Sequence, residues 1–460
     1  QERSHSNRPS CESDRSAGAS DSDWHRRFRR QSYSSRRSFP PSQAPPPWLP
    51  PRPRAQRRDL RAHARTRRQR CAAHAGAVNG FGHEREGAVV ARLDDDIVSF
   101  RDRNLKLIDR DRDGIADGPA KILVSGICVA KAINDRGTDH STNGIRLGID
   151  GWIYIAVGDF GFHNATGTDG AKVTLQGGGV ARVRTDGTEL EVFATGTRND
   201  YDVAIDPFMN LFSRGNTNDG GGWNIRFLHL IQSADYGYPR LFKNFSTEIL
   251  PALEDLGGGS GVGAFFLSEP TWPAYYNNQP LMADWGRKAI YLHRLTPDGP
   301  TFTQKAEEFA QISQITDLDV DPSGQMFVSA WDGAGFKGDP GKGYVSRLTP
   351  QGWTHRALPD LTTAKLTDLL TLLASASATT RFYAQQEILA RTAEATAAKT
   401  AVLALAKSST PTLAVRVAAL MTYAQLESSA AAVLALAVEE PLREFALRAA
   451  TDRLPRLKNA

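Results

Sequence analysis

The chain of 460 residues is poor in cysteine, in methionine and in long apolar runs, and the first and last of these scarcities exclude classes of protein. Its three cysteines, Cys11, Cys71 and Cys128, show no Cys-x-x-Cys spacing and no Cys-x-x-Cys-His. That excludes a cysteine zinc site, a paired redox motif and a covalently attached haem. No apolar run approaches the roughly eighteen residues that a bilayer-crossing helix needs. The first residues also lack the charged-then-apolar pattern of a secretion leader. Lysine is missing before Lys106, while Gln1–Arg70 holds eighteen arginines against six acidic residues. The net charge of +5 is therefore unevenly spread, and the remainder of the chain is mildly acidic.

Residues 1–92 are rich in Arg, Ser and Pro, with the run Pro40-Pro41-Ser42-Gln43-Ala44-Pro45-Pro46-Pro47. Too few aliphatic residues are present to build a core, so disorder is the physical expectation. Arginine without lysine, beside Ser, Pro and Ala, is equally what a GC-rich gene yields when read in the wrong frame. Binding to nucleic acid would need this basic segment to be genuine, and it is not the expected role.

From about Leu93 the chain repeats itself. Ile149-Asp150-Gly151-Trp152-Ile153-Tyr154-Ile155, Ile205-Asp206-Pro207-Phe208-Met209-Asn210-Leu211-Phe212 and Val320-Asp321-Pro322-Ser323-Gly324-Gln325-Met326-Phe327-Val328 share one pattern. In each, a strand ends in an Asp-led turn and returns as an apolar strand, which is a hairpin. Asp150 and Asp206 lie 56 positions apart, and Asp206 and Asp321 lie 115 apart, close to two such steps. A second edge recurs as Val180-Ala181-Arg182-Val183-Arg184-Thr185-Asp186-Gly187, Tyr291–Gly299 and Tyr344–Gly352. Repeats of this length made of short strands indicate propeller blades. The fold expected is mainly β: a six-bladed-type β-propeller over 93–356 with its N-terminal blade incomplete.

After Pro359 glycine and aromatics thin out, Ala and Leu dominate, and the apolar period becomes helical. Arg381-Phe382-Tyr383-Ala384, Arg416-Val417-Ala418-Ala419 and Glu444-Phe445-Ala446-Leu447 recur about thirty residues apart. A C-terminal helical solenoid of HEAT type is expected over 357–460, suited to contact with protein partners.

Three polar clusters each sit beside a strand-like run. They are Asp139-His140 with Gly158-Asp159-Phe160-Gly161, then Gly196-Thr197-Arg198-Asn199, then Asn216-Thr217-Asn218-Asp219-Gly220-Gly221-Gly222-Trp223-Asn224-Ile225-Arg226. A histidine, an arginine and several carboxamides at strand ends are what an active site on a β-scaffold needs. The plain alternative is that they tie rim loops together.

His140-Ser141-Thr142-Asn143-Gly144, Gly148–Tyr154, Gly158–Gly161 and Thr197-Arg198-Asn199 together resemble the soluble quinoprotein glucose/sorbosone dehydrogenase propellers. They are more similar still to the membrane-bound dehydrogenase branch of large multidomain bacterial proteins, in which HEAT repeats and usually a cytochrome c domain follow. The resemblance covers about Leu93–Gly352. It implies an oxidoreductase using pyrroloquinoline quinone (PQQ) on a sugar or polyol, with a cytochrome c acceptor and a periplasmic or extracellular location. By that resemblance His140 is the general base, Asp159 orients it, and Arg198 stabilises charge on the quinone. Asn199, Asn216, Asn218, Asp219, Trp223 and Arg226 then become the candidate cofactor-binding set. The chain departs from the family where Asp200 replaces the usual proline after Arg198-Asn199, and where the loop at 216–223 has its own sequence. A non-catalytic propeller that binds glycans or proteins, with the HEAT segment for docking, fits the same residues.

One acidic loop stands apart. Asp109, Asp111, Asp113 and Asp117 alternate around Gly114, a pattern that suits calcium, although Ala120 stands where an EF-hand places its last glutamate.

Overall fold

The computed structural model describes residues 118–452 apart from 129–130, 133–134, 136–138, 219–220 and 332–340. It also describes the backbone of three earlier strands, β1 (Val89–Val90), β2 (Asp95–Phe100) and β3 (Arg103–Ile108). The Arg-rich segment before Val89 and the calcium candidates Asp109, Asp111, Asp113 and Asp117 lie outside the described residues, as does Asp219.

Five antiparallel sheets follow one another along the chain. The first joins β1, β2, β3 and β4 (Lys121–Ser125). The second holds β5 (Thr142–Leu147), β6 (Trp152–Val157), β9 (Gly178–Arg184) and β10 (Glu191–Thr197). Between β6 and β9 the chain leaves this sheet as a hairpin, β7 (Phe162–Gly167) and β8 (Lys172–Leu175). This hairpin pairs with β4 and widens the first sheet to six strands. The third sheet contains β11 (Ala204–Ile205), β12 (Leu211–Arg214), β13 (Ile225–Leu230) and β14 (Glu254–Gly257). The fourth contains β15 (Gly261–Leu267), β16 (Gln279–Asp284), β17 (Ala289–Asp298) and β18 (Thr301–Gln311). Three strands make the last, β19 (Ile315–Val320), β20 (Met326–Trp331) and β21 (Gly343–Leu348).

Strand periodicity explains how consecutive sheets stack. Every residue of β6 is buried, because successive side chains point to opposite faces and both faces are covered. Ile153, Ile155 and Val157 pack toward Leu123, Val124 and Phe162 of the first sheet. Trp152 and Tyr154 point the other way, toward Met209, Leu211 and Leu228 of the third. Phe212 and Phe227 then meet Ala264 and Met282, and Leu281 and Ile290 meet Ile315 and Val328. Each such fully buried side chain contributes roughly 1.5–3 kcal/mol against solvent. The first strands of neighbouring sheets run side by side, β1 with β5, β11 with β15 and β15 with β19.

The Asp-led turns form as expected, for a common reason. The Oδ1 of Asp206 accepts the backbone N–H of Phe208 and of Asn210, both at 2.8 Å. Asp321 Oδ1 accepts those of Ser323 and Gln325 at 2.8 and 3.0 Å. Asp150 accepts the Trp152 N–H at 3.2 Å and the Tyr154 hydroxyl at 2.8 Å. A short carboxylate thus closes the same turn in three sheets.

The C-terminal part is helical: α1 (Leu366–Leu373), α2 (Ala378–Ala390), α3 (Ala395–Lys407), α4 (Leu413–Leu426), α5 (Ala430–Leu434) and α6 (Arg443–Thr451). Among the described residues no helix is long and apolar enough to cross a membrane. Ser377 caps α2 and Ser429 caps α5, each side-chain oxygen accepting a first-turn N–H. The recurring motif falls in α2, α4 and α6. Arg381 donates to the Ser375 carbonyl at 2.8 Å, in the link before its own helix, and Arg416 to that of Ala406 at 2.9 Å, in the last turn of α3.

The helices dock on two of the three Asp-led turns, those of Asp150 and Asp206. Gln385 and Gln425 both donate to the Ile149 carbonyl, at 2.8 and 2.9 Å, and Arg448 donates to that of Met209 at 2.9 Å. The pairing Thr142↔Val157 and Leu147↔Ile153 places the Asp150 turn at one end of the β5–β6 hairpin. The residues flanking Thr142 and Val157, among them His140 and Asp159, lie at the other.

Candidate functional site

Three connections meet at the end of the second sheet away from the helices. His140 precedes β5, Asp159 follows β6 and Arg198 follows β10, whose last residue Thr197 pairs with Gly178. Backbone bonds knit the first two connections together. The Gly158 N–H donates to Ser141 O at 2.7 Å, and that of Phe160 donates to His140 O at 3.2 Å. Gly158 has to lack a side chain, because a Cβ there would run into the His140 carbonyl and Asn199 Oδ1.

The structure brings the three expected catalytic residues into one cluster. His140 Nδ1 is hydrogen-bonded to Asp159 Oδ1, and the ring stacks on Phe160 with centroids 5.4 Å apart. Arg198 Nε stands 3.8 Å from Asp159 Oδ2, so the carboxylate lies between imidazole and guanidinium. The other ring nitrogen, Nε2, lies 3.3 Å from Asp139 Oδ2. His140 and Arg198 are each 7% exposed, which leaves little of either open to water. In sequence Asp139 stood only as the neighbour of His140, with no role of its own.

Asn199 is held on both sides of its carboxamide. Its Nδ2 donates to the Asp139 carbonyl at 3.0 Å, and its Oδ1 accepts from Asn143 Nδ2 at 3.0 Å. Asn143 also donates to Asp200 O at 3.1 Å. This buried carboxamide pair fixes the Asp139–His140 connection relative to Arg198. The other described cofactor candidates lie in the same loop and the strand after it. Asn218 Oδ1 accepts the Trp223 N–H at 2.9 Å, closing their shared turn. Trp223 is buried against Tyr238 and Phe242, and Arg226 lies over its ring at 3.9 Å. Burial lowers the pKa of Arg226, partly offset by Asp255. Asn216 pairs with Ser260, just before the next sheet, through an isolated backbone bridge.

Asp200 is the residue the sequence undervalued. It is wholly buried, and burial pushes its carboxyl up to about 7. The hydroxyls of Thr197 and Ser213 are close enough to favour the ionised form, yet neither makes a well-formed hydrogen bond with it. Ser213 donates instead to the Asp202 carbonyl at 3.1 Å.

From β5, Arg146 Nη2 lies 3.2 Å from Asp202 Oδ2 and donates to Ala264 O at 2.8 Å. Its Nη1 is 3.5 Å from Asp319 Oδ2. One guanidinium thus ties the second sheet to the connection before β11 and to the fourth and fifth sheets. Among the described residues no group of three His, Cys, Asp or Glu is placed to hold a metal ion.

Several solved structures are similar to this chain at low identity. An oxidoreductase of the glucose dehydrogenase kind from Thermus thermophilus aligns with TM-score 0.41 and 17% identity, over 55% of this chain and 74% of its own. A glucose dehydrogenase gives 0.40 and 15%, over 56% and 73%. The calcium-binding protein regucalcin from Agrobacterium tumefaciens gives 0.33 and 12%, over 57% and 74%. None of these scores reaches one half, so the site is read from its own residues. No curated protein matches the chain in sequence. Residues 85–333, more than half of the chain, match the family described as a domain of unknown function (DUF7133), and the chain belongs to that family.

Proposed function

We propose that the chain is a β-propeller oxidoreductase of the quinoprotein type, acting on a sugar or polyol hydroxyl, with the five described sheets as five of six blades. The observation that carries the reading is the His140–Asp159–Arg198 cluster, held by three separate connections at the end of the sheets that the helices leave open. Asp159 holds His140 Nδ1, which fixes the tautomer and turns Nε2 toward the Asp139 side, where a substrate hydroxyl would deliver its proton. A hydroxyl placed there must displace or share the Asp139 carboxylate. Arg198 supplies a fixed positive charge beside the point where negative charge develops.

Pyrroloquinoline quinone, when bound, would supply the acceptor for the hydride. The imidazole and guanidinium at the reacting end suit that group. For its carboxylates the sequence offers Arg287, Lys288 and Lys337, of which Lys288 is exposed. Arg287 is bonded to the carbonyls of Leu256 and Gly258, and Lys337 lies outside the described residues. The chain's own residues therefore bear the mechanism: they bind and orient the hydroxyl and take its proton. The helical pairs would be HEAT-like and free to contact protein partners, with a cytochrome c as electron acceptor. A periplasmic site of action goes with this reading, and fractionation of the native protein would check it.

The test is reconstitution of the full chain with the quinone, with and without calcium, followed by dye reduction across a panel of sugars and polyols. Turnover is expected, and His140→Ala should lower kcat by about 10²–10⁴-fold. No turnover under any condition, from protein shown to be folded, would overturn the proposal.

A further inference from the structure

The outer edges of the sheets are not alike. β8 and β14, which close the first and third sheets, have four residues each, and β21 closes the fifth with six. The seven-residue edge of β10 is covered by the segment that follows β13. There the Thr195 N–H donates to Ala234 O at 2.9 Å, that of Tyr236 to Thr195 O at 3.0 Å and that of Tyr238 to Gly196 O at 2.8 Å. β18, which closes the fourth sheet, is neither short nor covered. With eleven residues it is the longest described strand, and it pairs with β17 from Thr301↔Asp298 to Gln311↔Ala289. Among the described residues no strand pairs with its other edge. A long free edge offers its N–H and C=O groups to another chain, which is why sheets commonly shorten or cover their edges.

The order of side chains along β18 indicates which chain it suits. When two copies of one strand pair antiparallel, opposed side chains must share a face, so each register is centred on a single residue. Centred on Ala306, Lys305 of one copy stands opposite Glu307 of the other, and the reverse pair forms beyond the axis. The neighbouring registers, centred on Lys305 or on Glu307, set like charge against like. The Lys305 side chain is 78% exposed and lies 4.0 Å from Glu307 of its own strand, so its ammonium can turn to a second carboxylate. Glu307 is already held in place, by the Tyr275 hydroxyl at 2.7 Å and Arg294 Nη2 at 3.3 Å, and these two partners lower its pKa. Phe309 has no partner on β17, and this bulge bounds the regular ladder at Glu308. Residues 304–308 of the two copies are then opposed, an ordinary strand length.

We infer that β18 is a self-pairing edge, through which two copies of the chain join their fourth sheets into one continuous antiparallel sheet centred on Ala306. The two-fold axis passes beside the small Ala306 side chain, where a bulky residue would meet its own copy.

Sedimentation equilibrium of the full chain over a concentration series tests this. The mean mass should rise from one copy toward two. Lys305→Glu sets carboxylate against carboxylate on both sides of the axis and should weaken the dimer about tenfold or more. Because that side chain is exposed, the melting of the monomer should not change. A crosslink reads the register. Opposed Cα atoms of an antiparallel pair lie about 4.5–5.5 Å apart, within the span of a disulfide. Ala306→Cys should therefore link two copies under mild air oxidation. Thr303→Cys should not, since its two copies would stand about 20 Å apart along the strands. The parent chain, with its own three cysteines, is the blank. A folded monomer at every concentration, a dimer indifferent to Lys305→Glu, or no Ala306→Cys link above the blank would overturn the pairing. Thr303→Cys linking as readily as Ala306→Cys would do the same.

Discussion

Asp200 shows how one residue can be present in the sequence and still be misread. It registered only as a missing proline, because sequence gives side-chain identity but not the depth at which the side chain ends. The structure buries it directly after Arg198 and Asn199 with no charged partner among the causes of its shift. Its folded pKa of about 7 exceeds the ordinary value of 3.8, so the folded state holds its proton longer than the unfolded chain does. The stability it contributes is therefore complete below about pH 4, declines from there to about pH 7, and is gone above. Asp200→Asn copies the protonated shape and cannot ionise. The variant should gain on the order of 2 kcal/mol over the parent at pH 8 and little or nothing at pH 4. Denaturant unfolding at both pH values reads this difference, and parallel pH slopes for the two proteins would show the carboxyl to be ionised and solvated. His140, Asp159 and Arg198 were legible as a set, because a resemblance fixes residue types at strand ends. Asn199 was legible in place, but its hydrogen bonds to the Asp139 carbonyl and to Asn143 were not, because those partners lie more than fifty positions away.

At the scale of elements, the hairpins with Asp-led turns were readable, since the carboxylate and its acceptor bonds lie within five residues of each other. The β7–β8 hairpin was not. Alternation reports that a strand exists, but the edge it pairs with depends on residues far away in sequence, here β4. The same limit hid Arg146, whose partners all lie more than fifty positions away. Asp202 is buried beside it, and burial raises the pKa of that carboxyl while Arg146 lowers it. Removing the guanidinium leaves Asp202 and the Ala264 carbonyl without their shared donor. Arg146→Leu should therefore cost about 3–5 kcal/mol, as expected when one member of a buried ion pair is deleted. Replacing Asp202 with Asn in that background should recover part of the loss, because the uncompensated charge is then gone. A double-mutant cycle measured by denaturant unfolding checks the coupling, and strict additivity would show that the two groups do not interact.

Across the whole molecule, the helices and the sheets share buried surface as well as a chain connection. Ile149 and Phe208, from two Asp-led turns, pack against the helical core, and Phe208 lies 5.9 Å from Phe445 between ring centroids. Arg182, itself buried in β9, reaches Asp452 at 3.1 Å beyond the end of α6. None of this docking was legible, because Gln385 and Gln425 read in sequence as ordinary polar positions on amphipathic helices. With so much shared burial, sheets and helices should unfold together in a single transition. The Ile149 carbonyl receives both glutamine amides, so Gln385→Ala with Gln425→Ala removes two donors from one half-buried acceptor. That double variant should lose about 1–3 kcal/mol from the interface. The loss should appear first as faster hydrogen exchange at the amides of α2 and α4, while those of β6 and β9 keep their protection. If helix and strand amides still open together with the parent's midpoint, the interface is held by its apolar contacts and the ion pair, and the two amides contribute nothing measurable.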